Sequence, residues 1–79
     1  MKIEIRYFAA FREATGIASE PVDTQAETTA ALFAECIDRY PALRNYSASL
    51  VAVNDEMADW NSPVNDGDTV LLFPPVAGG

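Results

Sequence analysis

The chain has 79 residues, 49% of them apolar and 22% charged, which describes one small folded domain rather than a disordered segment. Its twelve Asp and Glu against five Lys and Arg give a net charge of −7 at pH 7, a field that repels nucleic acid, anionic membranes and phosphorylated small molecules and favours a partner with a basic docking surface. Histidine is absent and Cys36 is the single cysteine, so intrachain disulfides, Cys/His metal clusters and imidazole acid–base catalysis are excluded together.

Lys2 to Phe8 alternates, with Ile3, Ile5 and Tyr7 on one face and Lys2, Glu4, Arg6 and Phe8 on the other, the period of a half-buried strand. Met1-Lys2-Ile3-Glu4 therefore opens a strand rather than a signal peptide. No apolar run approaches the roughly 20 residues of a bilayer span, and a cytoplasmic location is expected. Ala9 to Ala14 carries helix formers before a Thr15-Gly16 stop, which predicts a helical turn and then a second strand near Ile17 to Val22. From Thr28 onward Leu32, Phe33, Cys36, Ile37 and Tyr40 recur at helical spacing. Thr28 is the expected N-cap of this amphipathic helix, and Pro41 ends it by disfavouring α geometry at Tyr40. Cys36 lies within the apolar stripe, where a buried thiol is inert core.

Leu50 to Val53 reads as a third strand, and the Asn54-Asp55-Glu56 turn leads to a short piece around Met57 and Ala58. Trp60 to Asn65 is loop, anchored by Trp60 and Val64. Asp66-Gly67-Asp68 makes a tight turn in which Gly67 suits positive φ, and two carboxylates around one glycine fall far short of a calcium loop. Thr69 to Phe73 is the final strand. The order β-β-α-β-β gives an α+β fold, with one main helix packed on one face of a mixed sheet and the first and last strands as central, parallel neighbours. In the last strand Val70 and Leu72 face the helix. Leu71 and Phe73 then point to the opposite face with Phe8, and these three form the expected partner-binding patch.

Residues 1–73 are thus expected to form the domain, and residues 74–79 an extended tail. Pro74 and Pro75 favour an extended path away from the body, while Gly78 and Gly79 carry no side chain to block a narrow slot. Six extended residues reach on the order of 20 Å, enough to thread Gly79 into an active site on another protein. The chemistry would then sit on the C-terminal carboxylate.

Tyr7-Phe8-Ala9 with Arg12-Glu13 and Gly16, Val53-Asn54, Asp66-Gly67-Asp68 and the ending Phe73-Pro74-Pro75-Val76-Ala77-Gly78-Gly79 resemble the small subunits of molybdopterin synthase. These are ubiquitin-like, β-grasp sulfur carriers, and the Phe-Pro-Pro-Val-x-Gly-Gly ending is the most specific element. The resemblance implies that an ATP-consuming activating (adenylyltransferase) enzyme adenylates the Gly79 carboxylate and that a sulfurtransferase donor converts it to a thiocarboxylate. It implies insertion of the tail into the large synthase subunit, where sulfur passes to cyclic pyranopterin monophosphate to build the molybdopterin dithiolene. Gly79 would be the transferable group, Gly78 would keep the passage narrow, and Pro74, Pro75, Val76 and Ala77 would position it. The chain would bind no cofactor or metal itself and would perform no stand-alone catalysis. It would act as the sulfur-donating subunit of a heterotetramer, with structural or docking roles for Arg12 and Glu13. Asp59-Trp60-Asn61 departs from the commoner family pattern and leaves the role of Trp60 open.

Three other readings compete. A carrier for thiazole synthesis shares the terminal Gly-Gly, although the Arg12-Glu13 turn and the Pro74-Pro75 pair favour the molybdopterin member. A protein modifier would join Gly79 to lysines on targets, and Lys2, the only lysine, would be the single side-chain site for chains of itself. The last is a plain interaction domain with an incidental tail.

Overall fold

In the computed structural model, which describes residues 1–45 and 49–74, five strands form one sheet: β1 (Lys2–Tyr7), β2 (Ser19–Asp23), β3 (Leu50–Val53), β4 (Glu56–Ala58) and β5 (Thr69–Phe73). Their order is β2-β1-β5-β3-β4. β1 and β5 run parallel at the centre, and the remaining pairs are antiparallel. A parallel pair needs a long crossover, and here it contains helix α2 (Thr29–Arg39), which covers one face of the sheet. This is the expected β-grasp arrangement.

The core forms where the period-2 pattern of the central strands meets the helical stripe. Ile3, Ile5 and Tyr7 of β1, Val70 and Leu72 of β5 and Val51 of β3 are buried against Leu32 and Cys36 of α2. Thr28 caps α2 as expected, its hydroxyl accepting from the Ala31 N–H at 3.2 Å. Tyr40, ahead of Pro41, leaves the helix at φ −130° and ψ 82°.

Several boundaries differ from the sequence reading for local reasons. The first strand ends at Tyr7 because Ala9 takes φ 50° and turns the chain into helix α1 (Ala10–Thr15). Gly16, at φ 80°, closes that helix with its N–H on the Arg12 carbonyl at 2.8 Å. The second strand begins at Ser19 rather than Ile17, since the Thr15 hydroxyl accepts from the Ile17 N–H and donates to the Ile17 carbonyl, holding Ile17 in a turn. A 3₁₀ helix over Pro41–Asn45, absent from the sequence reading, places Leu43 in the core. Phe11 of α1 is likewise fully buried.

Two turns set the far end of the sheet. Asn54 and Asp55, at φ 51° and 69°, form the two-residue connection between β3 and β4. Gly67, at φ 87°, sits in the turn before β5. The Asp66 carboxylate accepts from the Lys2 N–H at 2.7 Å, and Asp68 accepts from Asn54 Nδ2 at 2.9 Å and the Asn65 N–H at 2.8 Å. Both carboxylates thus serve as turn acceptors.

Candidate docking face and the root of the tail

The face of the sheet opposite α2 carries the predicted patch. The Phe8 N–H donates to the Leu72 carbonyl at 3.2 Å, extending the parallel pairing one residue past β1 and holding Phe8 beside β5. The rings of Phe8 and Phe73 stack there, with centroids 5.2 Å apart and planes inclined by 27°. Strand register continues the patch. Leu50 lies opposite Phe73, Ala52 opposite Leu71, and Met57 opposite Ala52. Phe8, Leu50 and Met57 are exposed by 38%, 39% and 65%, whereas Leu71 and Phe73 are half-buried. Single exposed apolar side chains are ordinary; a row of exposed and half-buried ones across neighbouring strands, ending beside Pro74, is not.

Phe8, Leu71 and Phe73 therefore share one face, as expected from alternation. Leu50 and Met57 belong to it as well. The alternation of Leu50-Val51-Ala52-Val53 could have placed Leu50 there, since Val51 packs inward beside Leu72. Pro74 follows directly at the end of β5 and is half-buried. Pro75, Val76, Ala77, Gly78 and Gly79 lie outside the described residues. Arg12 and Glu13 sit on α1 with both side chains exposed.

The other side of the sheet holds a partly buried polar cluster. Tyr7 donates its phenol proton to Glu20 Oε2 at 2.6 Å, and its oxygen lies 3.7 Å from Cys36 Sγ. Arg39 Nη2 is 3.6 Å from the same Glu20 oxygen and 3.7 Å from Sγ. Burial, reinforced by the bond to Glu20, pushes the Tyr7 phenol well above its ordinary range. Burial also pushes the Cys36 thiol up, against smaller opposing effects of Tyr7 and Arg39. A fully buried thiol held in its protonated form is a poor nucleophile, in agreement with a core role for Cys36. Trp60 also has a structural place. Its ring lies 5.2 Å from Phe33, and its carbonyl accepts from the Ala30 N–H at 3.1 Å, fastening the loop to the start of α2. Among the described residues no three His, Cys, Asp or Glu side chains converge as a metal site would require, and no helix is long and apolar enough to cross a membrane.

Known proteins resemble this chain in both sequence and architecture. The ThiS family profile matches residues 5–79. The molybdopterin synthase sulfur carrier subunit of Escherichia coli is 35% identical over 80 residues, covering 98% of this chain and 99% of that protein. The crystal structure of SAMP1 from Haloferax volcanii, a small archaeal modifier protein, superposes with a TM-score of 0.85 at 28% identity, covering both chains in full. A chain from the complex of subunits 1 and 2 of the molybdopterin-converting factor of Helicobacter pylori matches with a TM-score of 0.69 at 28% identity, again over both full lengths. With its mixed sheet, single long helix and end-to-end similarity to molybdopterin synthase sulfur carrier subunits, the chain belongs to the ThiS family.

Proposed function

We propose that this chain carries sulfur on Gly79 for molybdopterin synthase in the cytoplasm, with residues 1–73 as the docking body and residues 74–79 as the carrying tail. The observation that carries this reading is the continuity between the partly exposed Phe8–Phe73 patch and Pro74, which directly follows β5. A partner that covers the patch is brought within reach of Gly79, because six extended residues span on the order of 20 Å.

The chemistry follows from the terminus. An activating enzyme uses ATP to adenylate the Gly79 carboxylate, with release of pyrophosphate. The terminal sulfur of a sulfurtransferase persulfide then displaces AMP, and a thiol cleaves the resulting acyl disulfide, itself oxidised to a disulfide, to leave the thiocarboxylate. Sulfur makes the terminus a better nucleophile than the parent carboxylate. Inserted into the large subunit, the thiocarboxylate supplies sulfur to cyclic pyranopterin monophosphate for the dithiolene of molybdopterin. An acidic chain without histidine is poorly suited to bind a pterin phosphate, so the cationic pocket and the acid–base groups belong to the large subunit. Phe8, Leu71 and Phe73 dock, Pro74, Pro75, Val76 and Ala77 position the tail, and Gly78 keeps the passage narrow.

Deleting Gly78-Gly79 tests the proposal. The truncated chain is expected to fold and to bind the large subunit but to transfer no sulfur, and restored transfer by this chain would overturn the carrier role. The likeness to a small archaeal modifier protein supports a second reading, in which Gly79 is joined to lysines of target proteins. It predicts conjugates of higher mass in place of a terminal thiocarboxylate.

A further inference from the structure

One cation borders the apolar patch on this face of the sheet, and its position suits a partner of defined chemistry. Arg6 lies in register between Ser19 of β2 and Leu71 of β5, and it is two residues before Phe8 on the same face of β1. At sheet spacings it is about 5 Å from Leu71 and about 7 Å from Phe8 along the backbone. Its side chain is 53% exposed, and Nε donates to Glu4 Oε1 at 3.1 Å. A guanidinium has five N–H donors, and this bond uses one of them.

None of the other four cations occupies such a place. Lys2 is at the far end of β1, opposite Asp23, while Arg12 is on α1. Arg39 closes α2 beside Glu20, and Arg44 is on the 3₁₀ helix. Arg6 is thus the positive charge that borders the apolar patch of an otherwise strongly acidic chain.

A partner seated on Phe8, Phe73 and Leu71 removes water from the neighbouring row. The outer nitrogens of Arg6 then lose their solvent acceptors, and a charge enclosed without replacement acceptors is costly. We infer that the large subunit presents a carboxylate opposite Arg6, and that this pair fixes the orientation in which the tail enters the partner. The inference rests on the docking reading above and adds its specificity determinant. The planar fork of an arginine suits two-point pairing with a carboxylate, while Glu4, two residues back along β1, bonds Nε.

The pair has a signature opposite to that of the net charge. If the charge of −7 acts by attraction to a basic partner, making the chain more acidic tightens binding or leaves it unchanged. Loss of the Arg6 pair weakens it. Affinity of the full chain for its cognate large subunit, measured by calorimetry, separates the two for Arg6→Gln, Arg6→Glu, Lys2→Glu and Phe73→Asp.

Arg6→Gln is expected to weaken binding about tenfold and Arg6→Glu on the order of 30-fold or more, with no weakening in Lys2→Glu. Should Arg6→Glu fail to fold beside Glu4, Arg6→Gln carries the test. Wild-type affinity in the Arg6 variants, or an equal loss in Lys2→Glu, would overturn the inference. Phe73→Asp reports on the docking face itself. A loss there with the Arg6 variants unaffected refutes the Arg6 pair alone, whereas wild-type affinity of Phe73→Asp refutes the docking reading and the pair with it.

Discussion

The rings of Phe8 and Phe73 stack at 5.2 Å although the residues lie 65 positions apart in the chain, and the contact is made beside Pro74 at the end of β5. It depends on the parallel pairing of β1 with β5, which brings the end of the first strand beside the end of the last. The apolar patch and Pro74 are therefore held by the same central strands. If the proposed partner grips the patch, it also fixes Pro74, from which the proposed carrying tail starts.

Replacing Phe73 by Asp should weaken binding of the large subunit by at least about tenfold, because aromatic anchors at the centre of an interface dominate its energy. Phe73 is only half-buried, so the loss of its stacking contact should cost the isolated domain about 0.5–1.5 kcal/mol beyond the lost area. Calorimetry and urea unfolding measure the two effects. An unfolded variant would place Phe73 in the core instead.

Phe11→Ala should show the reverse pattern. Phe11 is fully buried under the short helix α1, and truncating such a ring costs about 3–5 kcal/mol. Met57→Ala, at a site 65% exposed, should change stability by less than about 0.5 kcal/mol. Urea titration of both variants decides.

Gly67→Ala isolates a backbone effect. At φ 87° a side chain is strained even though an added Cβ would meet nothing within 4 Å, so the expected destabilisation is about 1 kcal/mol. Gly67→Asn should cost less, since asparagine tolerates the left-handed region better. Equal stability of all three chains in thermal unfolding would show that this turn relaxes without cost.

Stability should fall on the alkaline side. Folding raises the pKa of Cys36 and of Tyr7, chiefly through burial, so both stay protonated in the native chain after they begin to ionise in the unfolded one. Their contribution is intact below about pH 8.5, where the unfolded thiol titrates, and declines from there, with the phenol joining near pH 10. Each group can remove up to about 1.4 kcal/mol per pH unit until its native pKa is reached. Cys36→Ala should flatten the profile between about pH 8.5 and 10, and Tyr7→Phe should make it shallower above that. Unfolding free energy measured across this range checks both slopes.

Much of this architecture can be read from residue periodicity. Ile3, Ile5 and Tyr7 in β1, and Val70 and Leu72 in β5, announce their buried face because a strand with one covered side has no other consistent register. Thr28 and Pro41 likewise mark the ends of α2 by local chemistry. Phe11 and Leu43 were not legible as core. They sit in helical segments of six and five residues, too short for a periodic face, and are buried by what packs over them. The apolar patch divides in the same way. Phe8, Leu71 and Phe73 follow from alternation, but the row formed with Leu50 and Met57 depends on the pairing of β3 with β5 and β4, which local pattern does not encode.

The most direct test of the carrier role is the intact mass of the full chain before and after incubation with its cognate activating enzyme, ATP and a sulfur source. The expected result is a mass gain equal to replacing one carboxylate oxygen by sulfur, localised to Gly79 by fragmentation. An unchanged mass, with an activating enzyme shown to be competent on another carrier, would contradict it.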